Sequence, residues 1–89
     1  MLLHAIFSGR VQGVGFRFFV EKKAKQLGVK GFVRNLPDGT VEVLAEGSED
    51  ILKKFLEEIK DGPPLAKVDN IKVEFLDKEG GFSDFEIRY

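Results

Sequence analysis

The sequence predicts an α+β sandwich, with two helices on one face of an antiparallel sheet of four to five strands in the order βαββαβ. Three observations carry that prediction. Two segments, 16–27 and 51–59, repeat apolar residues at helical spacing. Short runs with alternating apolar residues lie on either side of them. Glycine and proline groups at 28, 37–39, 62–64 and 80–81 punctuate the segments. With 43% hydrophobic and 33% charged residues and no cysteine, the chain must draw its stability from a core and not from disulfides.

Leu3 to Ser8 reads as the first strand. Phe16, Phe19, Val20, Ala24 and Leu27 then recur at i, i+3, i+4, i+8 and i+11, an amphipathic helix that Gly28 stops. Lys23 falls inside this stripe, where its stem packs and its ammonium reaches water. Phe18 points off the stripe and is expected to pack under a neighbouring loop. Gly31 to Asn35 forms the second strand, Leu36-Pro37-Asp38-Gly39 a turn, and Thr40 to Glu46 a third strand with Val41, Val43 and Ala45 inward. Ser48 caps a second helix with Glu49 and Asp50 in its first turn. Ile51, Leu52, Phe55, Leu56 and Ile59 are its buried side, and Gly62-Pro63-Pro64 ends it. Ile71, Val73 and Phe75 mark a fourth strand, Gly80-Gly81 a turn, and Phe85, Ile87 and Tyr89 a last strand. This is the split βαβ, or ferredoxin-like, arrangement, read as a single domain over residues 1–89.

The segment Gly9-Arg10-Val11-Gln12-Gly13-Val14-Gly15-Phe16-Arg17 stands apart from this scaffold. Glycines two to four apart between a strand and a helix let successive N–H groups point into one concavity. The helix start adds unpaired amides and the positive end of its dipole. Arg17 then lies in the first helical turn, where a cation is unfavourable unless both it and the dipole face an anion. The competing reading is an ordinary glycine-rich turn. The loop lacks the Gly-Lys-Ser/Thr ending of a P-loop and the third glycine of a dinucleotide fingerprint, so the anion it suits is small.

Charge supports an anion site locally. Residues 1–34 carry seven Lys/Arg against Glu21 alone, whereas residues 35–89 carry seven against fourteen acids. The field around the loop attracts anions although the formal net charge is −1. Lys22, Lys23 and Lys25 suit a solvated helix face, which leaves Arg10, Arg17 and Arg34 as the functional candidates.

The motif Gly9-x-Val11-Gln12-Gly13-Val14-Gly15-Phe16-Arg17 resembles the first signature of the acylphosphatases. Gly31-Phe32-Val33-Arg34-Asn35, followed by Gly39-x-Val41 and Gly47, resembles their second, and the likeness runs through the whole chain. The resemblance implies that Arg17 binds phosphate and Asn35 positions a water. It also implies a backbone cradle over Val11, Gln12, Gly13, Val14, Gly15, Phe16 and Arg17. The implied reaction is hydrolysis of small acyl phosphates without metal or cofactor, with inorganic phosphate or sulfate as inhibitor and a substrate oxygen taking the proton. The alternative for Asn35 is a hairpin cap; the complete second motif favours the water. Arg34 suits an exposed strand position, and His4, in mid-strand, a structural one. No His/Asp/Glu cluster has metal-ligand spacing.

Two other classes compete with this reading. RNA-recognition domains share the element order, and Lys30-Gly31-Phe32-Val33 resembles part of their aromatic motif, but the second stacking aromatic is absent. A non-catalytic anion-binding module would keep the loop without needing Asn35. The expectation is therefore an enzyme acting on a small molecule, a monomer or weak dimer, with no nucleic-acid or membrane partner. No segment reads as a signal peptide or a membrane span, which makes the cytoplasm the default location. Abundant Lys and Glu with only two Asn and two Gln is a composition found in proteins of hot environments.

Overall fold

Alternation on the first strand sets the layers. Leu3, Ala5 and Phe7 are fully buried on one side of β1 (Leu2–Arg10), and the half-buried His4, Ile6 and Ser8 alternate with them. The computed structural model describes residues 1–89, in which α1 (Phe16–Leu27), β2 (Lys30–Asn35), β3 (Val41–Glu46), α2 (Glu49–Ile59), β4 (Lys67–Leu76) and β5 (Phe85–Arg88) follow. Both helices cover the face that carries Leu3, Ala5 and Phe7. Phe7 meets Phe16 of α1 at 5.0 Å between ring centroids, and Phe55 of α2 meets Phe85 of β5 at 6.1 Å. Burying each such side chain contributes roughly 1.5–3 kcal/mol, so this shared core fixes the helices on the sheet.

The sheet order is β4-β1-β3-β2-β5, and one pairing corrects the expected antiparallel sheet: β5 runs parallel to β2. The chain reverses after β4, crosses to the opposite edge, and its new direction there coincides with that of β2. The helix signals hold. Gly28 closes α1 in the left-handed conformation, and Ser48 accepts from the Ile51 amide at the start of α2. The Lys23 ammonium leaves the stripe and reaches Glu58 of α2 at 3.6 Å. Phe18 departs from expectation: it is 66% exposed, because no loop crosses the start of α1. Tyr89 lies beyond the last strand residue, Arg88.

The helix-free face carries its own polar network. Glu42 accepts from Arg34 Nε at 2.6 Å and pairs with His4 Nε2 at 2.8 Å, so His4 and Arg34 are cross-strand structural partners. Burial pushes the Glu42 carboxyl up, but the hydrogen bonds from His4 and Arg34 outweigh it and hold the group below the ordinary carboxylate value. No helix is long and apolar enough to cross a membrane.

Candidate active site

The end of β1 delivers the chain to the 11–15 loop, and Val11 and Phe16, both buried, pin the two ends of that loop to the core. Between them Gly13 and Gly15 take φ of 73° and 79°, the left-handed region. A Cβ on either would meet no atom within 4 Å, so the demand for glycine is one of conformation and not of space. Gly15 is also the N-cap of α1 and offers no side chain to the helix start, whose first turn contains no acid. The amides of Gln12, Gly13, Val14 and Gly15 donate no hydrogen bond within the protein. Unpaired amides, a bare helix start and a cation in the first turn fall within one short segment, beside one concavity.

That concavity is a cleft of about 100 Å³ lined by Val11, Gly13, Gly15, Phe16, Arg17, Phe18 and Asn35. The fold thus brings Arg17 and Asn35, from different elements, to one small concavity. Of the predicted cradle, Gln12 and Val14 do not line it: Val14 packs against the core, and the Gln12 side chain turns to the 36–40 hairpin. Arg10 is exposed at the end of β1 and Arg34 is spent on Glu42, so Arg17 is the arginine that faces the cleft.

Arg17 is held from behind. Its Nη1 donates to the Arg88 carbonyl at 3.3 Å, and its guanidinium carbon sits 4.6 Å from the centre of the Tyr89 ring. Sequence reading missed both partners, since nothing in the pattern places the end of β5 beside α1. Asn35 closes β2, and its side chain makes no hydrogen bond within the protein. The hairpin is closed without it, by Leu36 N to the Thr40 carbonyl at 2.9 Å and by Asp38, which accepts from both the Thr40 amide and hydroxyl. The amide is free to hold a ligand. Phe18 was the other miss; its ring stands at the cleft rim.

Larger depressions lie elsewhere and lack this convergence. In one, of about 590 Å³ near Met1 and Lys30, Glu46 already accepts from the amides of Gly80, Gly81 and Phe82. The other, of about 470 Å³, is lined by Lys60 together with Asp61 and Asp69, so its two acids outweigh its one cation, which is itself paired with Glu57. No three His, Asp or Glu side chains come together as a metal-ligand set.

A cleft lined by a glycine-shaped loop, one cation and one free carboxamide has the chemistry to suit a small phosphorylated compound. The chain belongs to the acylphosphatase family, whose profile, described as Acylphosphatase, matches residues 3–87. An acylphosphatase of Thermotoga maritima is 53% identical over 91% of this chain and 89% of that protein. One of Archaeoglobus fulgidus is 48% identical over 98% of this chain and 97% of its own. The crystal structure of acylphosphatase from Bacillus subtilis superposes with a TM-score of 0.95 at 46% identity and covers both chains completely.

Proposed function

We propose that the chain hydrolyses small acyl phosphates to a carboxylate and inorganic phosphate, with the phosphate in the 11–17 cleft. The observation that carries this reading is the meeting of Arg17 and the free Asn35 carboxamide in one cleft sized for a phosphate. The loop amides and Arg17 hold the phosphoryl oxygens and meet their charge through a loose transition state, in which positioning and electrostatics supply most of the catalysis. The Asn35 amide orients a water in line with the bond to be broken. The water oxygen bonds to phosphorus as the P–O bond to the acyl group breaks, and the carboxylate leaves with the bonding electrons. The water proton passes to a phosphoryl oxygen. A carboxylate whose conjugate acid has a pKa near about 4.3 needs no general acid, so alkyl phosphates, with far more basic leaving groups, are poor substrates. Inorganic phosphate or sulfate competes for the cleft.

The test is a pair of variants assayed with acetyl phosphate in the presence of a chelator, which leaves the wild-type rate unchanged. Arg17→Gln weakens phosphate inhibition and lowers kcat by about 10²–10³. Asn35→Ala lowers kcat by a comparable order and leaves phosphate inhibition near wild type, because its contact is made mainly in the transition state. A folded Asn35→Ala enzyme with normal kcat, or one that loses phosphate affinity as Arg17→Gln does, defeats this division of roles.

A further inference from the structure

The Gln12 side chain lies inside the glycine motif yet points away from the cleft. Its Nε2 donates to the Leu36 carbonyl and to the Thr40 carbonyl, both at 2.9 Å, from a half-buried position. These carbonyls belong to the turn that follows Asn35, and they are already linked, since Leu36 N donates to the Thr40 carbonyl. Both protons of one amide nitrogen therefore close a three-way knot between loop and hairpin. No other hydrogen bond joins residues 11–17 to residues 34–41.

We infer that Gln12 is a positioning residue that fixes the distance between the phosphate cradle and Asn35, and so keeps the attacking water in line. The inference rests on the water-positioning role proposed for Asn35. Phosphate and water are held by different elements: the cradle and Arg17 by the start of α1, Asn35 by the end of β2. Packing of Val11 and Phe16 anchors the loop in the core it shares with Val33 and Val41, but non-directional packing carries no hydrogen bond that sets the loop against the turn after Asn35. In-line attack tolerates little drift, because reacting atoms must stand about 3–3.5 Å apart and a displacement of about 1 Å costs roughly 10²-fold in rate. The residue type fits the task. A neutral amide donates twice from one atom to two carbonyls, which a carboxylate of the same length would repel.

The experiment compares Gln12→Met, of similar length but without a donor, with wild type, Asn35→Ala and the double variant, using acetyl phosphate and phosphate inhibition. Gln12→Met lowers kcat by about 10–100-fold and moves the phosphate inhibition constant by less than about 3-fold, because the amides and Arg17 remain. In the Asn35→Ala background the same substitution changes kcat by less than about 2-fold, since no held water is left to misalign. The second variant, Gln12→Glu, adds a pH readout. Its carboxyl regains one donor when protonated, so its kcat relative to wild type rises as pH falls through the carboxylate range. It also keeps the test decisive if circular dichroism shows Gln12→Met unfolded. Normal kcat in a folded Gln12→Met, effects that multiply independently, an equal loss of phosphate affinity, or a flat Gln12→Glu ratio overturns the inference. If Asn35→Ala is itself fully active, the functional reading fails instead, and the two failures are told apart.

Discussion

Replacing Tyr89 by Ala isolates how much the backing of Arg17 matters. Tyr89 is 94% exposed and lies outside β5, so its removal takes nothing from the core or the sheet. What it takes is the ring 4.6 Å from the guanidinium. At an exposed site a cation–π contact is worth about 0.5–1 kcal/mol, or roughly 2–5-fold in an equilibrium. The bond from Arg17 Nη1 to the Arg88 carbonyl survives, because the Arg88 main chain is untouched, so the guanidinium stays tethered at one point. Tyr89→Ala should therefore lower kcat/KM for acetyl phosphate by about 2–5-fold and weaken phosphate inhibition by a similar factor, far short of the loss on Arg17→Gln. Tyr89→Phe, which keeps the ring, should behave as wild type, and the thermal midpoint should not move in either. A Tyr89→Ala enzyme with wild-type kinetics, or a Tyr89→Phe enzyme as impaired as Tyr89→Ala, would refute the idea that the ring face steadies Arg17.

Two further outcomes follow from the same geometry. Glu42 lies on the face away from the cleft, and its carboxyl is held below the ordinary value by His4 and Arg34. Its stabilising effect is full above the ordinary carboxylate value and is lost as pH falls through the lowered one. Glu42→Gln should thus cost about 1 kcal/mol at pH 7, a melting shift of roughly 4–8 °C, with kcat unchanged. The gap from wild type should close in melts as pH falls below the ordinary carboxylate range and through the lowered value of Glu42; a gap that widens in acid contradicts the assignment. Phe18 lines the cleft of about 100 Å³ proposed to hold the phosphate, and 66% of it is exposed, so its ring is available to an acyl group extending from that cleft. Phe18→Ala should lower kcat/KM for benzoyl phosphate about 3–10-fold relative to acetyl phosphate, and an unchanged ratio places the acyl group elsewhere.

Most of the scaffold was legible because it is written in local periodicity. The stripe on α1, the Ser48 cap, the Gly28 stop and the alternation on β3 each depend on residues within a few positions of one another. The parallel β2–β5 pairing was not, since alternation along Phe85 and Ile87 is the same whichever edge the strand joins. The site divides along the same line. Gly13, Gly15 and Arg17 form a contiguous motif with a conformational logic of its own, so the loop could be read as an anion site from residue types alone. Asn35 could not be separated from a hairpin cap by its immediate neighbours alone, and it was the full second motif that favoured the water; in the structure Asp38 and Thr40 close the turn without it. Phe18 was misread because a residue off the apolar stripe is assumed to find cover, and none crosses the start of α1.

What stayed hidden has a common chemical form. Gln12 bonds to the carbonyls of Leu36 and Thr40, and Arg17 bonds to the carbonyl of Arg88. In each case a side chain grips main chain, and the main-chain oxygen is the same whatever residue stands there. Such a contact constrains sequence at the donor end only, so Gln12 and Arg17 stand out in the motif while their partners look arbitrary. The arrangement also has a mechanical consequence. Acceptors in a hairpin turn and at a strand end move only if the backbone moves, so the rigidity of the sheet passes directly to the cradle and to the guanidinium. The mechanism proposed for this site uses no acid–base pair and depends on position more than on proton transfer, and anchoring the Gln12 and Arg17 side chains to backbone is the hold that suits such chemistry.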